Sequence, residues 1–206
     1  MTHDAYELTA DETETETHAL GALVSSARTG TGSDLWATPW SIVRAACGRV
    51  GWPMPLLDIA TVETTKKAEW WFGPDHPVRD LRDGLTATVP PGLRSVAWCN
   101  PPWSDVGPWL ARCYDLSTRY GWRCVALVPL RPSTKAWSAH VWPRASEVAV
   151  PDCRVGFENN GIVQPACPHD IAIVYYDADD PRPIRWTQML LRSSPDAQTS
   201  LLEPNE

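Results

Sequence analysis

The sequence predicts an α/β fold with a single central mixed sheet flanked by helices. Apolar runs typical of buried strands alternate with helical patterns, and two further strands follow late in the chain. The best-defined unit is a strand at 95–99, a loop with two prolines, and a helix from Asp105 to Tyr120 that Gly121 ends. Adjacent prolines cannot continue a central strand, because each lacks the N–H that the ladder needs. The loop is therefore expected at the carboxyl edge of the sheet, where open α/β sheets bind ligands.

This loop, Asn100-Pro101-Pro102-Trp103, combines groups that suit an amino-bearing aromatic ring. The Asn100 side chain and a proline carbonyl are adjacent acceptors for the two hydrogens of an exocyclic amine. Stacking of a planar base on Trp103 would contribute about 1–3 kcal/mol, as it does in nucleic-acid sites. A proline turn beside a core tryptophan is the competing interpretation of these four residues.

An earlier segment, Trp36-Ala37-Thr38-Pro39, precedes a helical pattern that ends near Gly51. Thr38 is predicted to be the N-cap and Pro39 the first helical residue. A helix cap accounts for the presence of Thr38 and Pro39 at these positions, but it does not account for a tryptophan at position 36. A helix amino terminus can also hold a carboxylate through its free N–H groups and its dipole.

Two acidic residues are further candidates for binding. Asp58 ends a predicted strand at 56–60, where a carboxylate can bind a ribose hydroxyl or an ammonium group, or cap a helix. Asp83 opens an Asp-Gly-Leu turn and is well explained by that turn alone. His76 has no other histidine near it in the sequence and is interpreted as a surface residue.

The remaining elements follow from apolar runs and breaker residues. The expected elements are a short helix at 64–71, a strand at 124–129, a helix at 134–141 capped by Ser133, strands at 147–150 and 154–157, a turn at 159–161, a strand at 171–176, and a short helix at 186–191.

Charge is unevenly distributed along the 206 residues, whose net charge is −7. Residues 1–33 have six acidic residues and one basic residue, and residues 155–206 have eight acidic and three basic residues. Residues 34–154 have eleven acidic and fourteen basic residues, so overall acidity does not exclude a DNA substrate. We interpret 1–33 as a largely disordered acidic arm, 34–176 as the folded domain, and 177–206 as an acidic, proline-rich tail.

The six cysteines form no CxxC pair and lie mostly in apolar runs. This pattern favours reduced, buried thiols over a zinc site or a disulfide framework. No apolar run has membrane-spanning length, and the amino terminus does not resemble a signal peptide. We therefore expect a soluble cytoplasmic protein without a bound metal. Twelve tryptophans are an excess that suggests a pocket for flat ligands in addition to the core.

Three motifs follow one another along the chain: Trp36-x-Thr38-Pro39, Leu57-Asp58-Ile59-Ala60 and Asn100-Pro101-Pro102-Trp103. Asp83-Gly84-Leu85 lies between the last two, and Leu127-Val128-Pro129, Arg154-x-x-Phe157 and the apolar strand at 171–176 follow. Over residues 34–176 this pattern resembles the phage-type, Dam-like DNA adenine-N6 methyltransferases. The sequence departs from that family in having a tryptophan where tyrosine or phenylalanine is commoner, and in having few glycines after Asp58.

The resemblance implies a Rossmann-like methyltransferase fold that uses S-adenosylmethionine. Trp36, Thr38 and Pro39 would border the methionine end of this cofactor. Asp58 would bind its amino group or its ribose, and Asp83 its adenine. Such an enzyme, if encoded by a phage or prophage, would act in the cytoplasm of the bacterial host.

For the target, the resemblance implies a flipped adenine in DNA. Asn100 and the Pro101 carbonyl would hold its N6 amine, Pro102 would stiffen the loop, and Trp103 would stack on the base. The same loop also suits a cytosine amine, an adenine in RNA or a glutamine amide of a protein. A DNA-binding or partner-binding relic of the fold is the non-enzymatic alternative. Segments 61–92 and 131–145 are candidates for target recognition.

Overall fold

The computed structural model describes residues 37–92, 94–159, 161–180 and 182–191. Its elements in chain order are α1 (Trp40–Arg49), β1 (Leu57–Asp58), β2 (Trp70–Trp71), a 3-10 turn (Arg79–Leu81), β3 (Val96–Cys99), α2 (Gly107–Tyr120), β4 (Arg123–Pro129), α3 (Lys135–His140), β5 (Glu147–Pro151), β6 (Glu158–Asn159), β7 (Ile162–Val163), β8 (Ile171–Tyr176) and β9 (Arg185–Met189).

Seven of these strands form one mixed sheet in the order β2-β1-β3-β4-β8-β5-β9. Strands β2, β1, β3 and β4 are parallel to one another, and β8 is antiparallel to both of its neighbours. The edge strand β9 pairs in parallel with β5, and β6 and β7 form a separate hairpin. The predicted α/β architecture with a single central mixed sheet is confirmed.

The core lies on both faces of this sheet, and β4 shows how the sequence divides it. Cys124, Ala126 and Val128 point to the face covered by α2 and α3. Val125 and Leu127 point to the other face, which α1 covers. Because successive strand residues alternate between faces, a strand covered on both sides has a continuous apolar run. That is the pattern by which this strand was predicted.

The predicted unit of strand, proline loop and helix is present at β3 and α2. All four residues of β3 are buried between its neighbours. The helix begins with a proline in its first turn and ends at Gly121, whose φ of 69° lies in the left-handed region. Glycine adopts this conformation without the steric cost that a side chain would add, so the helix ends where the sequence predicted.

Two predicted helix caps are wrong. Pro39, not Thr38, occupies the position before α1, and Thr38 makes no capping hydrogen bond. The carbonyl of Pro39 instead accepts from the N–H groups of Ile42 and Val43, at 3.1 and 3.3 Å. The residue before α3 is Thr134 rather than Ser133, and its side chain does not cap the helix either.

Three other expected elements are replaced by different structure. The segment 64–71 contains turns and the two-residue strand β2 rather than a helix. Residues 154–157 are not a strand, although β6 and β7, which follow them, pair as a hairpin. The segment 186–191 contributes β9 to the sheet instead of forming a helix, so the sheet extends beyond residue 176.

The cysteines are free thiols, and five of the six are buried, as predicted. The described residues contain no cluster of histidine, cysteine, aspartate or glutamate suited to a metal ion. Among the helices that the structure describes, none is both long enough and apolar enough to cross a membrane. The segments 1–36 and 192–206 lie outside the described residues, and they include the whole predicted arm 1–33 and the second half of the predicted tail 177–206.

Candidate cofactor and amine site

The candidate site lies at the carboxyl ends of three adjacent parallel strands. β1 pairs with β2 on one side and with β3 on the other, and Asp58 is in register with Trp71 and Trp98. Asn100 follows β3 directly, so the sheet brings it to the same edge as Asp58 although 42 positions separate them in the sequence. The expected position of the proline loop is confirmed.

A cavity of about 270 Å³ opens at this edge. Its size is near the lower end of the range of roughly 300–1,000 Å³ that small-molecule sites usually have. Five of the residues predicted for the site line it: Thr38, Asp58, Asp83, Asn100 and Pro102. Aromatic side chains complete its wall, contributed by Phe72, Trp98 and Trp109.

Asp58 is a buried carboxyl group in the lining of the cavity, with 2% of its surface exposed. One oxygen accepts from the backbone N–H of Lys67 at 2.9 Å, and the other from that of Ala60 at 3.3 Å. Burial raises the pKa of Asp58 to about 7, and these two hydrogen bonds and the charge of Lys67 lower it in part. The carboxyl group is therefore held in place and can change its charge near neutral pH.

Two residues of the wall each have a buried polar atom with no hydrogen-bond partner among the described residues. These atoms are the hydroxyl oxygen of Thr38 and the indole nitrogen of Trp98. Each residue is 1% exposed, and each lines the cavity. Buried polar groups are nearly always paired in folded proteins, so these two groups are suited to pairing with a polar ligand in the cavity.

The Asp83 turn forms another part of the wall. The carboxylate of Asp83 accepts from the N–H of Leu85 at 3.0 Å and from the hydroxyl of Thr86 at 2.8 Å. Gly84 packs against the end of the first strand so closely that a Cβ atom there would be 1.8 Å from the carbonyl oxygen of Ile59. A glycine is therefore required for the turn to close this side of the cavity.

The proline loop separates the cavity from a second, smaller one. Asn100 and Pro102 line the first cavity, whereas Trp103 lines the second, which has a volume of about 180 Å³. The Trp103 ring meets Phe157 edge-to-face, with 5.4 Å between ring centroids. Among the described residues, no backbone N–H donates to the carbonyl of Pro101, while that of Pro102 accepts from Asp105 at 3.4 Å.

Not every predicted site residue reaches the first cavity. Pro39, Pro101 and Trp103 are absent from its lining, and Trp36 lies outside the described residues. Pro39 bears on the cavity only through its position between Thr38 and α1. The stacking surface assigned to Trp103 thus belongs to the neighbouring cavity.

The family model described as "DNA N-6-adenine-methyltransferase (Dam)" matches residues 25–172 of this chain. The chain belongs to this family. It is an S-adenosylmethionine-dependent enzyme that methylates the N6 amine of adenine in DNA. The alternatives of cytosine, RNA or protein acceptors, and of a non-catalytic relic, are thereby set aside.

Comparison with known proteins adds one solved structure. A crystal structure from Listeria monocytogenes, described as a candidate class I S-adenosylmethionine-dependent methyltransferase, is similar with a TM-score of 0.45. The two sequences are 14% identical, and the similarity covers 92% of this chain and 77% of that one. No curated protein matches this Dam-family chain.

The residues around the first cavity fit S-adenosylmethionine. The buried carboxyl of Asp58 and the unpaired groups of Thr38 and Trp98 match a ligand with a zwitterionic end and several hydroxyl and ring-nitrogen groups. The aromatic side chains of Phe72 and Trp109 match its flat adenine.

Sequence reasoning missed two charged residues that line this cavity, the exposed Arg82 and the buried Lys67. Lys67 is only 6% exposed. The prediction of a helix over 64–71 concealed it, because a lysine on a short surface helix is normally solvated. The available signal was its position next to the Trp70-Trp71-Phe72 run, which is better suited to a buried strand than to a surface helix.

Proposed function

We propose that the first cavity binds S-adenosylmethionine and that Asn100 and the Pro101 carbonyl receive the N6 amine of the target adenine at its mouth. The observation that carries this proposal is that Asp58 and Asn100 line the same cavity. One is a group suited to the cofactor, and the other is a group suited to an amine. An enzyme that joins these two substrates needs both groups within one molecular length of each other.

Four residues would hold the cofactor. Asp58 would accept a hydrogen bond from its amino group or its ribose, and Thr38 would bind at its methionine end. Trp98 would donate from its indole N–H, which has no partner among the described residues. Asp83 would lie near its adenine, although both carboxylate oxygens already serve the turn. Bound there, S-adenosylmethionine supplies an electrophilic methyl group on its sulfonium sulfur.

The proline loop would prepare the amine for attack. The lone pair of the adenine N6 is delocalised into the ring, so the amine is a weak nucleophile. Hydrogen bonds from its two hydrogens to the Asn100 side chain and the Pro101 carbonyl localise that pair on nitrogen and direct it toward the cofactor cavity. Positive charge would develop on N6 as its bond to the methyl carbon forms and the methyl–sulfur bond breaks, with S-adenosylhomocysteine as the leaving group. The two oriented carbonyl dipoles would stabilise that charge without reorganising until N6 loses one proton to solvent.

The target adenine would have to leave the DNA helix, because its amine is paired and stacked inside a duplex. Trp103, which lines the second cavity, would offer the stacking surface for the flipped base. Its edge-to-face contact with Phe157 holds the ring in a defined orientation. Pro102 lines the first cavity, and its ring limits the movement of the loop.

The test is methyl transfer by Asn100→Ala in a single turnover with saturating cofactor and DNA. Loss of one oriented acceptor should lower the rate about 10²–10³-fold. Affinity for S-adenosylhomocysteine, measured by calorimetry on the same variant, should change much less, because the cavity keeps its other polar groups. Asn159→Ala removes an exposed asparagine outside both cavities and is the matched control. Transfer by Asn100→Ala at the wild-type rate would refute the role of the loop.

A further inference from the structure

Lys67 is a buried lysine that lines the proposed cofactor cavity. Its backbone N–H donates a hydrogen bond to a carboxyl oxygen of Asp58, with 2.9 Å between nitrogen and oxygen. This bond fixes the backbone of Lys67 beside the end of β1. The preceding residue, Lys66, is different: a third of its side chain is exposed, and its ammonium lies 4.0 Å from Glu63 near the surface. Only the second lysine of the pair lines the cavity.

The known contacts of the Lys67 ammonium leave room for another anion. Glu158 is its nearest carboxylate, at 3.9 Å, which is longer than a charge-assisted hydrogen bond of about 2.7–2.9 Å. The ammonium also lies 5.0 Å from the centre of the Trp40 ring. An ammonium group has three N–H donors, and a buried charge is costly unless it is well paired. Burial accordingly lowers the pKa of Lys67.

The surroundings of this ammonium are those of a carboxylate site. Glu158 pairs through its backbone with Ala37, at 2.8 Å in both directions, so Lys67 lies beside the segment that enters α1. Trp40, which faces the ammonium, is the first residue of that helix. The unpaired hydroxyl of Thr38 lies in the same segment and on the same cavity. A helix amino terminus, a hydroxyl and an ammonium are three donors to one anion.

We propose that Lys67 binds the α-carboxylate of the methionine end of S-adenosylmethionine. This inference rests on the proposed role of the cavity as the cofactor site. In this role Lys67 would give the site a cationic group beside the carboxyl group of Asp58. The two residues are neighbours, because the backbone N–H of Lys67 donates a hydrogen bond to the Asp58 carboxyl. The buried acid Asp58 and the buried base Lys67 complement the ammonium and the carboxylate of an amino acid. The methionine end has the only carboxylate of the cofactor.

The experiment compares two ligands on one protein. S-adenosylmethionine has the carboxylate, and decarboxylated S-adenosylmethionine lacks only that group. In calorimetry, the full-length wild-type protein should bind the first about 10–100-fold more tightly, which is the effect expected of one buried hydrogen bond to a charged group. Lys67→Met should lose most of that preference, because the helix amino terminus and the Thr38 hydroxyl are the only other donors proposed for the carboxylate. Lys66→Met, the matched control, should keep it.

Each result decides between definite outcomes. A wild-type protein that binds both ligands equally well refutes the carboxylate contact without any variant, so the test stands even where Lys67→Met fails to fold. Retention of the preference in a folded Lys67→Met protein, as judged by thermal unfolding, also refutes it. If neither ligand binds the wild-type protein, the cofactor role of the cavity fails instead, and the two proposals are thereby distinguished.

Discussion

Replacing Asp58 with asparagine should remove a pH dependence that this buried carboxyl group gives to folding. In the folded protein, burial raises the pKa of Asp58 to about 7 from an ordinary value of 3.8. Between these two values the folded protein holds a proton that the unfolded chain has released. The stabilisation from Asp58 is therefore fully present below pH 3.8 and is lost as the pH rises through about 7.

The size of the effect follows from the same two values. A difference of one pKa unit corresponds to about 1.4 kcal/mol, so the contribution of Asp58 to the free energy of unfolding should fall by about 2–3 kcal/mol between pH 5 and pH 8. Asparagine has a similar shape but does not titrate. It also replaces one oxygen with an NH₂ group, so one of the two backbone hydrogen bonds to Asp58 is lost at every pH.

The assay is urea unfolding of the cofactor-free protein at pH 5, 6, 7 and 8, for the wild type and for Asp58→Asn. The stability advantage of the wild type over the variant should be largest at pH 5 and should shrink by about 2–3 kcal/mol by pH 8. Asp80→Asn removes an exposed carboxylate and controls for the loss of a surface charge. A constant difference between wild type and Asp58→Asn across this range would refute the reasoning.

The same group allows a test of what Asp58 binds. If it contacts the amino group of the cofactor, a positive ligand favours the ionised carboxyl, so binding near pH 6 should release a proton. Calorimetry of S-adenosylhomocysteine in two buffers of different ionisation enthalpy measures that proton. Affinity should increase from pH 6 to pH 8 in the wild type but not in Asp58→Asn. Binding without proton release would favour a ribose contact over the amino group.

Two further predictions concern the proline loop and the Asp83 turn. Trp103→Ala should weaken DNA binding by about 1–3 kcal/mol, and Trp103→Phe should recover most of this loss because a stacking face remains. DNA titrations at saturating cofactor measure both affinities. Equal DNA affinities of Trp103→Ala and the wild type would contradict the stacking role. Gly84→Ala should lower the free energy of unfolding by about 2–4 kcal/mol, because its Cβ atom would collide with the backbone of Ile59. Gly48→Ala is the control, because a Cβ atom at this position in α1 meets nothing within 4 Å. In chemical unfolding, Gly48→Ala should be as stable as the wild type or more stable by up to about 1 kcal/mol. A Gly84→Ala protein as stable as the wild type would show that the turn relaxes to accommodate the Cβ atom.

Sequence patterns were most reliable where one short segment determined its own structure. Two prolines after a buried strand can form only a strand end, and a glycine after four turns of helical periodicity ended α2 at Gly121. The run at 171–176 is apolar throughout, and it became the buried strand β8 between β4 and β5. In these segments local preference and tertiary packing favour the same conformation.

Sequence patterns failed where a short segment took its structure from a neighbour. β2 has only two residues, and it is a strand because it pairs with β1 at Asp58. β9 was interpreted as part of a helix, yet it forms five parallel pairings with β5 at the edge of the sheet. The hydrogen bonds that stabilise a strand are made to another segment, so a short strand without strong alternation carries little information about itself.

The sequence alone determined which chemical groups this methyltransferase has for its reaction: an amide and two prolines in one loop, an acid at a strand end, and a hydroxyl before a helix. Only the tertiary structure decided which of these groups meet. It brought Asp58, Thr38 and Asn100 to one cavity, turned Trp103 toward another, and buried Lys67 beside the entry to α1. The physical reason is the parallel sheet, which joins the carboxyl ends of strands that lie far apart in the sequence, so that these contacts depend on strand order and not on local pattern.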